Sequence, residues 1–218
     1  MTANARANIL SRLRATTAQG SFEVPDAPVI AGLVLSQEER IDRLRRMLET
    51  MHAEVWVVSS AAWLDELKAR LRVRALNGLL YGPGTPLGQA LEAAWEEDLP
   101  PLVPYSEPVE QCQERLFNID AGITTTRSAI AENGALILWP SAAEPRLLSL
   151  TPGLHIAVLD AGTIFNTFAE AIDQQGWLEQ GMPTNALLIS GPSKTADIEL
   201  TLTFGVHGPK ELAVLIVA

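Results

Sequence analysis

Along the chain, short apolar runs alternate with amphipathic stretches, and the two periods separate strands from helices. Glu54-Val-Trp-Val-Val58, Leu76 to Tyr81, Ala135-Leu-Ile-Leu-Trp139, Leu154 to Leu159, Asn185 to Ser190 and Glu211 to Ala218 are short, apolar and β-compatible, as buried strands are. Between them, Ala61 to Arg72 places Trp63, Leu64, Leu67 and Leu71 on one helical face, and Pro86 to Glu97 and Thr163 to Gln174 read as further helices. Leu102-Val-Pro104 reads as a short edge strand. Gln113 to Thr126, with Leu116, Phe117, Ile119 and Ile123, is expected to be a strand that runs into a threonine-rich bend. Strands recurring with short helices between them predict an α/β fold, with a parallel or mostly parallel sheet covered by helices on both faces.

The first third departs from this alternation. Residues 2–17 predict a short basic helix with a narrow stripe of Ile9, Leu10 and Leu13, and residues 18–35, holding Gly20, Pro25, Pro28 and Gly32, predict an extended arm. Ser36-Gln-Glu-Glu39 has the form of a capping box, in which each end of the motif satisfies an orphan N–H of the other. The helix that it opens carries Ile41, Leu44, Leu48 and Met51 at helical spacing, with Met47 beside them. Residues 1–49 are thus expected to form an N-terminal helical arm, packed on an α/β domain of residues 50–218 or on a second copy of it.

A chain of 218 residues can bury one full core. Its formal charge of −10 argues against binding a nucleic-acid backbone, which needs clustered lysine and arginine. A small anion is still compatible, with Arg127, Arg146 and Lys194 as the nearest candidate cations. Cys112 is the only cysteine, which excludes an internal disulfide, a cysteine-based zinc site and an iron–sulfur cluster held by this chain alone. No run of about 18 apolar residues occurs and no signal-peptide core opens the chain, so a soluble, cytoplasmic protein without membrane association is expected.

Candidate chemistry concentrates where strands end in glycine. The strand at 185–190 runs into Gly191-Pro-Ser-Lys-Thr-Ala-Asp-Ile-Glu199, and Gly205-Val-His-Gly-Pro209 makes a second bend before the last strand. Glycine lets backbone approach a ligand, and free amides beside hydroxyls and a lysine suit an anion near strand ends, where open α/β sheets bind ligands. The same bends also serve as plain tight turns. Neither this bend nor Gly82-Pro-Gly84 matches a P-loop or a dinucleotide fingerprint, which argues against nucleotide hydrolysis. Glu132 lies among apolar neighbours, a setting that makes a carboxylate useful as an acid or nucleophile, although Asn133-Gly134 is also a turn signal. His207 is the histidine best placed for function. His155 reads as a hydrogen-bonded structural residue and His52 as the end of a helix. A metal site is not expected, since the three histidines are scattered and only Asp197 with His207 offers a pair.

Taken together, Asp120-Ala-Gly-Ile-Thr124, Ile130-Ala-Glu-Asn-Gly134, Arg146 ahead of Leu150-Thr-Pro152, His155-Ile156, the 191–199 run and Gly205-Val-His-Gly-Pro209 resemble the LUD-domain family, typified by lactate utilization protein C. The likeness spans roughly residues 50–218; Asn133 departs from it, standing where the family more often has threonine. The resemblance implies a three-layer α/β/α fold similar to that shared by glucosamine-6-phosphate deaminase, ribose-5-phosphate isomerase and coenzyme A transferases (the NagB/RpiA/CoA transferase-like fold). It implies a part in oxidising L-lactate to pyruvate beside iron–sulfur partner proteins, which would carry the clusters that this chain cannot hold. A small anionic ligand is then expected at Thr124, Arg146, Gly191, Ser193, Lys194, Thr195 and Asp197, with Glu132 and His207 as candidate catalytic groups. Two alternatives stand beside this. Ala131-Glu-Asn-Gly134 is similar to the Ser-Glu-Asn-Gly stretch of coenzyme A transferases, which would make Glu132 an acyl-accepting nucleophile. The chain could instead be a non-catalytic scaffold, so the sequence leaves open whether it is itself an enzyme, what ligand it takes and whether it is a homo-oligomer.

Overall fold

The computed structural model describes residues 2–18, 34–195 and 203–218. It divides into two compact units, Met1–Gly32 and Leu33–Ala218. In the first, α1 (Thr2–Ala18) is a helix that leaves Ile9, Leu10 and Leu13 exposed. Most of the stretch expected as an extended arm lies outside the described residues.

The second unit opens with α2 (Gln37–Thr50), and the capping box forms as its residues dictate. Ser36 Oγ accepts from the Glu39 amide, and a Glu39 carboxylate oxygen accepts from the Ser36 amide at 2.8 Å. The elements that follow are β1 (Glu54–Val58), α3 (Trp63–Arg72), β2 (Leu79–Tyr81), α4 (Pro86–Ala94), β3 (Leu102–Pro104), α5 (Val109–Asn118) and β4 (Ala121–Thr125). Next come β5 (Ser128–Ile130), β6 (Ala135–Leu138), a 3-10 turn at Arg146–Ser149, β7 (Leu154–Asp160), β8 (Ile164–Phe165), α6 (Phe168–Gln174) and α7 (Trp177–Gln180). The last strands are β9 (Leu187–Ile189), β10 (Lys194–Thr195), β11 (Thr203–Phe204) and β12 (Glu211–Val217).

The main sheet has six strands in the order β1-β12-β7-β4-β2-β3, and every neighbouring pair is parallel. The C-terminal strand therefore sits inside the sheet, which explains its unbroken apolar run: Leu212 through Ile216 are buried from both sides. Their alternation splits the core. Ala213 and Leu215 pack with Ile123, Ile156 and the apolar faces of α3 and α4. Leu212, Val214 and Ile216 pack on the other side with Ala157, Leu159 and α2 residues Leu44 and Leu48. This is the α/β architecture expected from the sequence, with one addition. A second, four-stranded sheet, β8-β5-β6-β9, covers part of the α2 face, and α6 and α7 close its outer side around Trp177.

Two local expectations change. Residues 109–118 are helical, not part of a strand, because Cys112 and Leu116, four residues apart, face Leu80 and Leu148, while Phe117 points outward. The strand begins only at Ala121. The expected helix 163–174 is preceded by β8, and its true start is Phe168, where Thr167 caps the Glu170 amide.

α2, grouped by sequence with the N-terminal arm, is set within the Leu33–Ala218 unit and locks the small sheet in place. Arg40 donates to the Ile164 carbonyl at 2.7 Å, and Arg43 to the carbonyls of Ala131 and Glu132. Gly134, at φ +68°, lies against Met47 so closely that a Cβ there would run into the Met47 Cβ. A Cβ on Gly191 would come within 2.9 Å of the Met51 Cβ.

Two substitutions test this dependence by urea denaturation. Leu48→Ala is expected to cost about 2–5 kcal/mol, as for other large-to-small changes in a closed core. Gly134→Ala is expected to cost about 1–3 kcal/mol for its left-handed backbone alone, and the Met47 contact adds to that. An unchanged midpoint for either variant would contradict this packing.

Candidate functional site

The two glycine-proline bends singled out by sequence meet in space. The Ser193 amide donates to the Pro209 carbonyl and the Gly205 amide to the Ser193 carbonyl, both at 2.9 Å. Behind them, between the main sheet and the end of β9, lies a cavity of about 260 Å³ whose walls include Ser149, His155, Gly191, Ser193 and His207. Leu188, Leu150 and Leu212 supply its apolar part. The cavity sits at the amino ends of β7 and β12, where His155 pairs in register with Leu212, rather than at the carboxyl ends favoured by open α/β sheets. The covering sheet decides this, since β9 and the bend after it form the opposite wall.

His155 is the chemically distinctive group of this cavity. It is 1% exposed, and its Nε2 lies 2.9 Å from the Thr124 hydroxyl, itself buried. Thr124 and His155 share a face of the sheet because β4 and β7 are parallel neighbours with Gly122 opposite His155. Nδ1 has no hydrogen-bond partner among the described residues. Burial pushes the imidazole down from 6.5 to about 4, so it is neutral at physiological pH. A neutral ring with one nitrogen engaged can offer the other as donor or acceptor, according to tautomer. The sequence reading of His155 as a hydrogen-bonded residue is correct for Nε2 and missed Nδ1. Ser149 was also missed; its hydroxyl donates to the Arg146 carbonyl at 3.0 Å and, with no apolar period or glycine beside it, the sequence carried no signal for it.

The other candidate residues disperse. Thr124 and Arg146 line a separate narrow cleft, divided from the cavity by His155 and by Ser149, which borders both. Lys194 and Thr195 form β10, paired antiparallel with β11, and do not line the cavity; Lys194 is exposed, with Nζ 3.7 Å from the Met51 sulfur. Asp197 and Glu199 lie outside the described residues. Glu132 is exposed in the turn between β5 and β6, under α2, and is no part of the cavity wall. The apolar surroundings expected from its neighbours do not materialise, because Ala131 turns into the core while Glu132 turns out to solvent. The desolvation that a carboxylate nucleophile needs is therefore lacking there. Glu132 and Lys194 do lie toward the same end of the small sheet, as β6 and β9 are antiparallel, but neither lines the polar hollow.

Among the described residues, no lysine, arginine or carboxylate lines the cavity. Polarity there comes from hydroxyls, two histidines and main chain. Among the described residues no group of three or more histidine, cysteine, aspartate or glutamate side chains is placed to hold a metal, and no helix is long and apolar enough to cross a membrane.

Comparison with known proteins places this architecture. A protein of Neisseria meningitidis serogroup B, described as uncharacterized, is 34% identical over 97% of this chain and 93% of its own length. Lactate utilization protein C of an Exiguobacterium species is 26% identical over 88% of this chain and 83% of its own length, and that of Geobacillus thermodenitrificans is 27% identical with the same coverage. A crystal structure described as a DUF162 family protein from Deinococcus radiodurans superposes with a TM-score of 0.62 at 23% identity, covering 85% of this chain and all of that one, and so supports the fold. The LUD domain profile matches residues 41–217, from α2 through the last strand, and the chain belongs to the LUD domain family.

Proposed function

We propose that this chain is a component of an L-lactate utilisation system and holds a small hydroxy- or oxo-carboxylate in the cavity between the two glycine-proline bends. The relatives named lactate utilization protein C support the first part. The observation that carries the second is the buried, neutral His155, with an unpartnered Nδ1 in the wall of a closed-in polar cavity. An unpaired buried ring nitrogen is costly, and a ligand hydroxyl or carbonyl would satisfy it. Ser193 and His207 can add side-chain hydrogen bonds, and the Gly191 backbone can approach without obstruction from a side chain. With no fixed cation among the described residues of the wall, such a site suits moderate affinity and ready release.

Redox partners enter the proposal through the family and through one fact of composition. A single, buried cysteine gives this chain no thiolate set for an iron–sulfur cluster, so electrons leaving a bound hydroxy acid would need clusters held by partner proteins. The acyl-transfer alternative has no support from the position of Glu132.

Titration calorimetry with L-lactate and pyruvate tests the proposal. Saturable binding of at least one is expected, with Ser193→Ala and His207→Gln each weakening it roughly 2- to 10-fold, the value of one hydrogen bond. Absence of heat with both ligands, repeated by a direct equilibrium method, would sink it.

The neutral state of His155 also has a stability signature. Its folded value lies below its unfolded one, so the unfolded chain takes up the proton first as pH falls. The contribution of the neutral ring is intact above about pH 6.5 and is lost on the way to pH 4. Relative to His155→Gln, the wild-type protein is expected to lose about 3 kcal/mol across that window. Parallel pH dependences for the two proteins in chemical denaturation would show that His155 does not titrate this way.

A further inference from the structure

A second polar hollow, not part of the cavity above, opens where β4 and β6 end. It has a volume of about 420 Å³ and is lined by Thr125, Thr126, Arg127 and Trp139. The narrow cleft that carries Arg146 and Glu144 adjoins it, sharing Thr125 and Trp139.

Arg127 is held as a binding group rather than as half of an ion pair. Its backbone is fixed at both ends: the amide donates to the Ile137 carbonyl at 2.8 Å, and its carbonyl accepts from Gln175 Nε2 at 3.1 Å. The guanidinium lies over the Trp139 ring, 4.9 Å from the centroid, and Trp139 is braced in turn by Trp177 at 5.0 Å. This contact anchors the guanidinium beside the ring. Its hydrogen bonds, by contrast, are mostly unmade. Nη2 reaches Gln180 at only 3.5 Å, and the buried Nε has no partner.

The contrast with the other arginines is informative on a chain of net charge −10. In the Leu33–Ala218 unit, Arg45, Arg70, Arg72, Arg74 and Arg115 pair with carboxylates, and Arg40, Arg43 and Arg46 serve backbone carbonyls. Arg127 has no carboxylate partner among the described residues, and neither does Arg146 across the shared cleft. One carboxylate does stand nearby. Glu144 accepts from both the amide and the hydroxyl of Thr125, so its charge is turned toward that residue and confines a ligand to the Arg127 and Thr126 side.

We infer that this hollow is an oxyanion site, in which the stacked Arg127 guanidinium takes a carboxylate or phosphate group with its unused donors, Thr126 borders the anion and Arg146 adds charge from the rim. A planar donor fork held against an aromatic ring is restricted in advance for bidentate recognition, and less entropy is lost when the anion arrives. The ligand is a small metabolite bearing either group, and the site is distinct from the His155 cavity, where no described residue of the wall is a cation.

The test follows the Arg127 Nε–H signal in full-length protein labelled with nitrogen-15 arginine, assigned by its loss in Arg127→Lys, during titration with inorganic phosphate and, separately, acetate. A saturable shift of this signal is expected. Saturation with phosphate alone supports a phosphate-selective site, and saturation with both supports a general carboxylate and phosphate site. Arg127→Lys, which keeps the charge but loses the fork and the stack, is expected to weaken the same anion about tenfold or more in calorimetry, and Arg146→Met less. No saturable shift with either anion overturns the inference. So does calorimetric binding that Arg127→Lys leaves unchanged, because the ion then resides elsewhere.

Discussion

The small sheet stays where it is because a helix fits two glycines. Met47 and Met51 are one turn apart on α2, about 6 Å along the axis, and neighbouring strands lie about 5 Å apart. Gly134 enters β6 and Gly191 leaves β9 at the same end of that antiparallel pair, so the two methionines meet one glycine each. Side chains at either position would push the helix off the strands. Arg40 and Arg43 of α2 complete the attachment by donating to the carbonyls of Ile164, Ala131 and Glu132. Remove this fit and the face of the main sheet carrying Leu212, Val214 and Ile216 loses its cover.

The cavity is a consequence of the same arrangement. A layer of strands laid over one face of a parallel sheet cannot match it along its whole length, and where β9 gives way to the Gly191 bend the two layers part. His155 faces that gap because its place on β7 points it away from the α3 and α4 side, which takes Leu154 and Ile156. Burial then keeps the ring uncharged. The result is a cavity whose polar wall can offer hydrogen bonds, in a setting where each buried polar group is stabilised by a partner.

Charge is handled elsewhere on the same molecule. Ion pairs bind loops to the sheet edges, as Arg74 does in joining Glu54 of β1 to Glu211 of β12, at 2.6 and 2.7 Å. Such exposed pairs contribute little individually. Among the described residues of the Leu33–Ala218 unit they leave Arg127 beside a hollow and Arg146 in the cleft that adjoins it, neither paired with a carboxylate. The Thr124–His155 hydrogen bond and Ser149 form the partition between that hollow's cleft and the neutral cavity, so two polar environments of different character share one wall.

By itself the sequence determined the mostly parallel sheet, the capped helix at Ser36 and the positions of the two glycine-proline bends. Each of these is written in local terms: a period, a cap, a residue without Cβ. It misjudged 109–118, since Leu116, Phe117 and Ile119 fit a strand until Cys112 is seen to face the core with Leu116. It could not foresee β5, β8 or the covering sheet, because segments of two to four residues have no period to detect. Site residues were legible as residue types but not as neighbours. Glu132 had apolar neighbours in sequence and solvent in space, Thr124 and Arg146 fell on the far side of a wall from Gly191, and Ser149 joined His155 with no motif to announce it. Only the tertiary structure could decide these matters. Burial and proximity are set by which layer covers which face, and that choice is made by contacts between residues far apart in the chain.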